Sequence, residues 1–477
     1  MILIWALALM ACWAPSASGP PPLAPPLATP RAHPDIVVIV LDTLRADRLS
    51  DYGYPLDTSK GIRSFTQQAT RFESAFAPSS WTLPSTASIL SGQHPLRHQV
   101  RRSGDVLPAS IHTLPERLGQ AGWTPLGFSH NVSVSPRLGF DQGFLSFSVP
   151  DNDVLDYPHA KKMVAEIDVA VRASTGDHPA DPLFLYLQPM NCHGPYKVPK
   201  ARRSRLLGHP PISGFAYYQG PMRNVLAGNL GARARVTQTY QRSLEEHYDT
   251  AVRYTLDQVG TFLDHLRAVG RYDNSLIVLT ADHGEELFDH GGFSHGYSLH
   301  REVLRVPLFI KLPGQSAAHV VTGNVSLNDV LPTVLDAVAV PLNPTDSPVD
   351  GVSLLAALRP DATAPGTPDT RATPSQELLA DIKWKKRCVA QSIDDGAWKL
   401  IHVDHSYAGQ HDADELYATG TDPGEAHDVA AEHPDEVLRL RALLAVRAAA
   451  LESGSTPPEN HQNEMNAEQL KALGYLE

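Results

Sequence analysis

The chain has 477 residues, 42% of them hydrophobic and 19% charged, an ordinary globular composition with length enough for one large α/β domain and a smaller companion. Its 40 basic and 52 acidic residues give a formal charge of −12, so long-range repulsion disfavours nucleic acid and anionic membrane surfaces as partners. An anionic substrate must then be attracted locally, by a metal or a few basic groups.

The apolar stretch from Met1 to Ala14 is too short to cross a bilayer as a helix and runs into small residues, so residues 1–19 read as an export signal. Residues 20–34 follow as a Pro-rich spacer. Leu9, Met10, Ala11 and Cys12 resemble a lipoprotein box that would anchor the chain through Cys12, although the usual basic residue ahead of it is missing. The expected location is periplasmic, secreted or on the outer surface. Only Cys192 and Cys388 remain beyond the signal, which gives no disulfide framework, although the two have the means to pair once.

From Asp35 to Leu41 runs DIVVIVL, a continuous apolar segment of the kind buried on both faces of a parallel sheet, and it ends at Asp42. The segment Pro182 to Leu187 repeats the design and leads into Gln188 and then Asn191 to Tyr196. Ser275 to Thr280 repeats it again and leads into Asp282, His283 and Gly284. Between the last two strands, Tyr248, Val252, Leu256, Val259, Leu263 and Leu266 step by three or four and mark one core-facing helical stripe. Strands alternating with helices predict a mostly parallel central sheet covered by helices on both faces. Such sheets bind ligands beyond the carboxyl ends of their strands, so the three polar clusters should meet in one crevice.

The catalytic body is expected to span 35–358, followed by a Pro-, Ala-, Thr- and Asp-rich linker at 359–375 and a C-terminal α+β subdomain at 376–477. In that subdomain Arg387 to Ser392 and Trp398 to Val403 read as a hairpin turning near Asp394, Asp395 and Gly396, and Val437 to Leu451 as a helix.

Two carboxylates and an imidazole at strand ends, Asp42, Asp282 and His283, combine the hard oxygen and borderline nitrogen that hold a divalent cation. Singly, each Asp reads as well as a turn or helix cap. In Ser79 to Gly92, SSWTLPSTASILSG, Thr82 precedes a Pro84-Ser85 turn, after which Ala87 to Leu90 begins a helix whose N-terminus favours an anion.

Here the chain resembles the sulfatase family of the alkaline-phosphatase-like superfamily, whose signature is Cys or Ser, any residue, Pro, Ser, Arg, then a helix. The matching residues are Thr82, Leu83, Pro84, Ser85 and Thr86. VLDTLRADRLSDYGYP (Val40 to Pro55) is similar to the family's first metal segment, NCHGPY (Asn191 to Tyr196) to its substrate segment, and TADHGEELFDHGGFSHG (Thr280 to Gly296) to its second metal segment. Arg301 to Phe309, SLNDVLPTVLD (Ser326 to Asp336), ELYATGTDPGE (Glu415 to Glu425) and LKALGYL (Leu470 to Leu476) continue the match in order. The resemblance implies an alkaline-phosphatase-like α/β fold and one divalent metal held by Asp42, Thr82, Asp282 and His283. Thr82 is then the catalytic ligand, with His193 and His295 on the ester oxyanion or leaving group.

Two departures matter. The family's Asp-Asp pair is here Asp42-Thr43, so one carboxylate ligand is lost and the ion is expected to be Mn, Mg or Ca, with Zn a further candidate. Thr82 and Thr86 replace the Cys and Arg recognised for formylglycine formation. A formylglycine hydrate releases sulfate by collapse of its hemiacetal, whereas a threonine ester must be attacked by water or another acceptor, as phosphothreonine can be. The readings that follow are a Thr-dependent hydrolase or transferase of phosphate esters, a sulfatase working without formylglycine, and a noncatalytic binding relative. The substrate is expected to be a small or glycan- or lipid-linked anionic ester. His193 also reads as a turn stabiliser, and His295 shares that reading. His290 and His300 read as structural, Tyr196 as pocket lining or packing, and Arg45 and Arg48 as anion-gathering groups or as a charged helix face. The Arg-rich stretch Lys197 to Val236 reads as a solvated insertion or an anion-gathering lid.

Overall fold

A computed structural model describes residues 33–149, 164–169, 172, 181–199, 202–203, 237–359, 370–372, 378–384, 388–404, 413–455 and 457–461. The export signal, Cys12, the Pro-rich spacer, most of the Lys197 to Val236 stretch, most of the linker and the closing LKALGYL lie outside these residues. Among the described residues no helix is long and apolar enough to cross a membrane.

Strand β1 (Asp35–Leu41) is buried at every position, which requires both faces of its sheet to be covered. It pairs in parallel with β5 (Leu183–Gln188) on one side and β6 (Ser275–Ala281) on the other, both equally buried. The sheet extends through β3 (Thr124–Ser129) and β4 (Ser146–Ser148) beyond β5. Beyond β6 come β9 (Arg305–Lys311), β2 (Thr70–Phe76), β10 (His319–Ser326) and β11 (Thr370–Ala372), nine strands in all. Only β9 runs against its neighbours, so the sheet is mostly parallel, as the alternating pattern predicted. The carboxyl ends of β1, β3, β5 and β6 consequently share one edge. β11 comes from within the stretch read as linker and pairs with β10.

Helix α1 (Thr82–Ser91) is wholly buried. Helix α2 (Gln238–Ala268) buries Tyr248, Val252, Leu256, Val259, Leu263 and Leu266, the stripe read from its spacing, within the main core. It lies tightly on the turn Lys60–Ile62, where a Cβ added at Gly260 would stand 2.0 Å from the Gly61 carbonyl oxygen.

C-terminal to the sheet, β12 (Leu378–Trp384), β13 (Cys388–Asp394), β14 (Lys399–Asp404) and β15 (Ala413–Tyr417) form a separate antiparallel sheet in chain order. β13 and β14 are the expected hairpin, with Gly396 at φ 92° supplying the left-handed turn residue. Helix α3 (Pro434–Glu452) packs Leu440 and Leu444 on Ile393, Leu400 and Leu416 of this sheet.

Replacing Gly260 by Ala forces α2 away from the Lys60–Ile62 turn and is expected to destabilise the fold by about 1–3 kcal/mol, an overpacking cost. Urea unfolding followed by circular dichroism should show a lower midpoint; an unchanged midpoint contradicts the close contact.

Candidate active site

Asp42 follows β1, Asp282 follows β6, and α1 starts at Thr82; all three side chains are fully buried at the shared sheet edge. Thr82 is the first helical residue, not the residue before a turn. Pro84 sits in the first helical turn, where a missing N–H costs nothing, so the expected Pro84-Ser85 turn does not form and the helix begins five residues before Ala87. Trp81, the N-cap, contributes no side-chain cap, and the positive end of the helix dipole is left for a negative partner.

The Thr82 hydroxyl oxygen lies 3.4 Å from Asp42 Oδ2 and 3.2 Å from His283 Nε2. His283 Nε2 is in turn 3.7 Å from Asp282 Oδ2 and 4.0 Å from Asp42 Oδ1. The His283 ring donates its Nδ1–H to the Gly284 carbonyl at 2.8 Å, which fixes the tautomer and turns the Nε2 lone pair inward. Asp282 Oδ1 accepts from the backbone N–H groups of Thr43 and His283 at 3.2 and 2.9 Å, leaving Oδ2 to face the cluster.

His193 and His295 join the same crevice. Their ring centroids are 5.0 Å apart, and His295 lies 4.5 Å from the His283 ring. His193 donates to the Gly194 carbonyl through Nδ1 at 2.7 Å. Tyr196 is fully buried and packs edge-to-face on Tyr248, with ring centroids 5.5 Å apart. Arg45 does not gather an anion: it is buried and bound to Asp47, Asp289 and the Glu285 carbonyl. Arg48 is bound to Tyr54 and lies 3.6 Å from Asp249.

Two residues of the site were not singled out from the sequence. Asn131, at the carboxyl end of β3, donates through Nδ2 to Asp42 Oδ2 at 2.7 Å and to the Thr82 hydroxyl at 3.3 Å. Its signal was the strand-end rule that found Asp42. Glu285, fully buried, lies 3.0 Å from His295 Nδ1 and holds that ring by its outer edge.

Burial, reinforced by Asp282, pushes the Asp42 carboxyl up to about 6, and burial alone pushes Asp282 up to about 7. Burial and the neighbouring His295 hold the His283 imidazole down to about 3. Two carboxylates and a neutral imidazole thus converge, and among the described residues no Lys or Arg is bonded to them and Asp42 Oδ1 has no hydrogen-bond partner. That donor set fits a divalent cation. Residues with positive φ surround it: Thr43 at 59°, Tyr196 at 55° and Ser294 at 74°. A β-branched residue in that region carries backbone strain of about 1–3 kcal/mol, of the kind that collects at functional sites.

Residues 34–340 match the model of the Sulfatase family. The chain belongs to that family. Membership sets the reaction class as ester hydrolysis. An N-acetylglucosamine-6-O-sulfatase of Bacteroides thetaiotaomicron is 29% identical over 46% of this chain and 38% of its own length. A choline-sulfatase of Rhizobium meliloti is 23% identical over 87% of this chain and 85% of its own. Among solved structures, the phosphonate monoester hydrolase of Agrobacterium radiobacter superposes with a TM-score of 0.64 at 19% identity, covering 87% of this chain and 96% of that one. The sulfatase-family fold is the alkaline-phosphatase-like α/β architecture expected from the motifs.

Protons compete with a cation for carboxylates whose pKa values are raised. Calorimetric titration of the metal-free protein with Mn2+ should therefore show affinity falling as the pH drops through about 7 and again through about 6. Affinity that stays flat across that window contradicts Asp282 and Asp42 as ligands.

Proposed function

We propose that this protein is a metal-dependent phosphoesterase or phosphotransferase with Thr82 as nucleophile. The observation that carries the proposal is the position of the Thr82 hydroxyl: buried, at the first residue of α1, and within 3.4 Å of both Asp42 and His283. Asp42, Asp282 and His283 would hold one divalent ion, Mn, Mg or Ca with Zn also compatible, with Thr82 as its fourth ligand. Such an ion, when bound, lowers the hydroxyl pKa and neutralises charge on the transferring group.

The protein's own residues supply the rest. Asn131, donating to Asp42 and Thr82, holds the hydroxyl in place for in-line attack. As the Thr82 oxygen, its proton released to solvent, forms the bond to phosphorus, the bond to the leaving oxygen breaks and His193 in its protonated form gives that oxygen a proton. Water or another acceptor then attacks the phosphothreonine. His295, which burial keeps neutral, accepts the proton of the attacking molecule and passes it to the Thr82 oxygen as the bond from that oxygen to phosphorus breaks, while His193 regains a proton from solvent.

Threonine has no second hydroxyl with which to expel sulfate by collapse, which is why a phosphorus ester is favoured over a sulfate ester. Phosphonate monoester hydrolases among the structural relatives support phosphorus chemistry on this fold. The curated relatives named as sulfatases support the second reading, a sulfuric ester hydrolase acting without formylglycine. A noncatalytic role is disfavoured because Asp42, Thr82, His193, Asp282, His283 and His295 are all present and converge. The substrate class we propose is an anionic ester on a small molecule, glycan or lipid. A structural relative solved with D-glucosamine-2-N,6-O-disulfate supports a glycan. The composition of residues 1–19 supports export, and that of 359–375, apart from strand β11, a linker between the catalytic and C-terminal parts.

Turnover of 4-nitrophenyl phosphate, bis(4-nitrophenyl) phosphate and 4-nitrophenyl sulfate by the Mn2+-loaded protein tests the proposal. Phosphorus esters should be cleaved, and Thr82→Ala should lower kcat at least about a thousandfold. Mass spectrometry after an acid quench should find the phosphoryl adduct on the peptide carrying Thr82. Turnover of the sulfate alone, or an adduct on Ser80 or Ser85, overturns the assignment.

A further inference from the structure

A second group of metal-ligating side chains stands apart from the catalytic cluster, where the main body meets the C-terminal sheet. His290 comes from the loop between the short strands β7 (Glu286–Leu287) and β8 (Phe293–Ser294), and His300 and Glu302 come from the start of the helical turn Arg301–Leu304. One ligand atom from each of the three lies within 4.8 Å of the others. From the sequence His290 and His300 read as structural.

The hydrogen bonds orient this group inward. His290 donates through Nε2 to the Glu425 carbonyl at 2.6 Å, and His300 donates through Nε2 to Glu415 Oε2 at 2.9 Å. A carbonyl and a carboxylate on the outer ring nitrogen are the partners that metal-bound imidazoles use to fix their tautomer and raise ligand basicity. The Tyr417 hydroxyl donates to the same Glu415 oxygen at 2.9 Å and fixes it in turn. Both histidines are left with Nδ1 as the inner atom.

At the inner side, His290 Nδ1 is 2.7 Å from Glu302 Oε1. Glu302 is only 4% exposed, yet its Oε2 has no hydrogen-bond partner among the described residues, and neither has His300 Nδ1. A buried carboxylate oxygen and a buried ring nitrogen, both able only to accept, therefore face a common point with no donor. Leaving such groups unsatisfied in a buried position is costly. His290 thus has acceptors at both of its nitrogens, an arrangement that a cation shared with Glu302 satisfies.

We propose that His290, His300 and Glu302 form a second, structural site for a divalent transition metal, with Glu415 and Glu425 as the outer-shell partners that tie the ion to the C-terminal sheet. Two imidazoles and one carboxylate suit Zn2+ better than Mg2+ or Ca2+, with water in the fourth position. The two rings now lie parallel, 4° from coplanar orientation with centroids 4.0 Å apart, and they tilt apart on binding so that the ion enters both ring planes. Glu425 connects this point to the rest of the subdomain: its carboxylate binds Lys399 Nζ at 2.8 Å and the Arg301 backbone N–H at 2.9 Å. Ion binding would thus stabilise the seating of β14 and β15 against the main body, independently of the ester chemistry.

The test counts ions in the full chain. Chelator-treated protein is loaded with Zn2+, passed through a desalting column and measured by plasma mass spectrometry, with X-ray absorption for the ligand set. The wild type should carry two equivalents. Asp282→Asn, which removes the catalytic site, should retain one, with two imidazoles and one carboxylate at about 2.0–2.2 Å. Adding His300→Tyr or Glu302→Gln to Asp282→Asn should abolish it; two replacements guard against one that fails to fold. Zn2+ should also raise the Tm of Asp282→Asn but not of the double variants. An Asp282→Asn protein that holds no Zn2+, or double variants that hold as much as Asp282→Asn, overturns the second site without touching the assignment of Thr82.

Discussion

The structure turns on an electrostatic conflict built into the middle of the sheet edge. Asp42 and Asp282 are both fully buried, and burial discourages the neighbouring His283 imidazole from taking a proton. In a dry pocket two carboxylates cannot both ionise without a compensating charge, and their raised pKa values express that penalty. The divalent cation we propose would resolve the conflict. It would also account for the Thr82 hydroxyl at the positive end of α1, within hydrogen-bond reach of Asp42 and His283.

The rest of the body holds that arrangement rigid. β1, β5 and β6 are buried on both faces and register against one another residue by residue, so the loops leaving their carboxyl ends start from fixed points. Ser85 of α1 donates to the Asp282 carbonyl at 2.6 Å, which locks the helix to the loop after β6. Strained residues such as Thr43 and Ser294 persist because their neighbours over-determine them. Preorganised groups of this kind act on a reacting ester without rearranging, and much of the advantage of an enclosed site lies there.

The convergence of the proposed site was legible in the sequence because its residues end long apolar runs: DIVVIVL points to Asp42, and the run from Ser275 points to Asp282 and His283. Asn131 was missed because its strand, TPLGFS, contains Pro125 and Gly127 and lacks that continuity. Gly127 is present because the Phe147 ring occupies the place of its Cβ, a tertiary fact no local pattern contains. The start of α1 was misplaced for a related reason, since Pro84 reads as a turn former and is equally at home in a first helical turn. The cluster of His290, His300 and Glu302 was invisible for another reason. Its outer partners Glu415 and Glu425 lie more than a hundred residues downstream, on a sheet whose docking the sequence does not specify.

The fold thus offers one α/β edge for chemistry and, at the junction with the C-terminal sheet, a second group of ligands suited to holding parts together. The claim on which the account depends is the first of these, a cation gripped by Asp42, Asp282 and His283 with Thr82 beside it. Anomalous scattering from crystals of the Mn2+-loaded protein tests it most directly. The account predicts a strong peak within about 2.0–2.4 Å of Asp42, Asp282, His283 and the Thr82 hydroxyl. A peak absent from that point, or a Thr82 side chain turned away from it, would contradict the account.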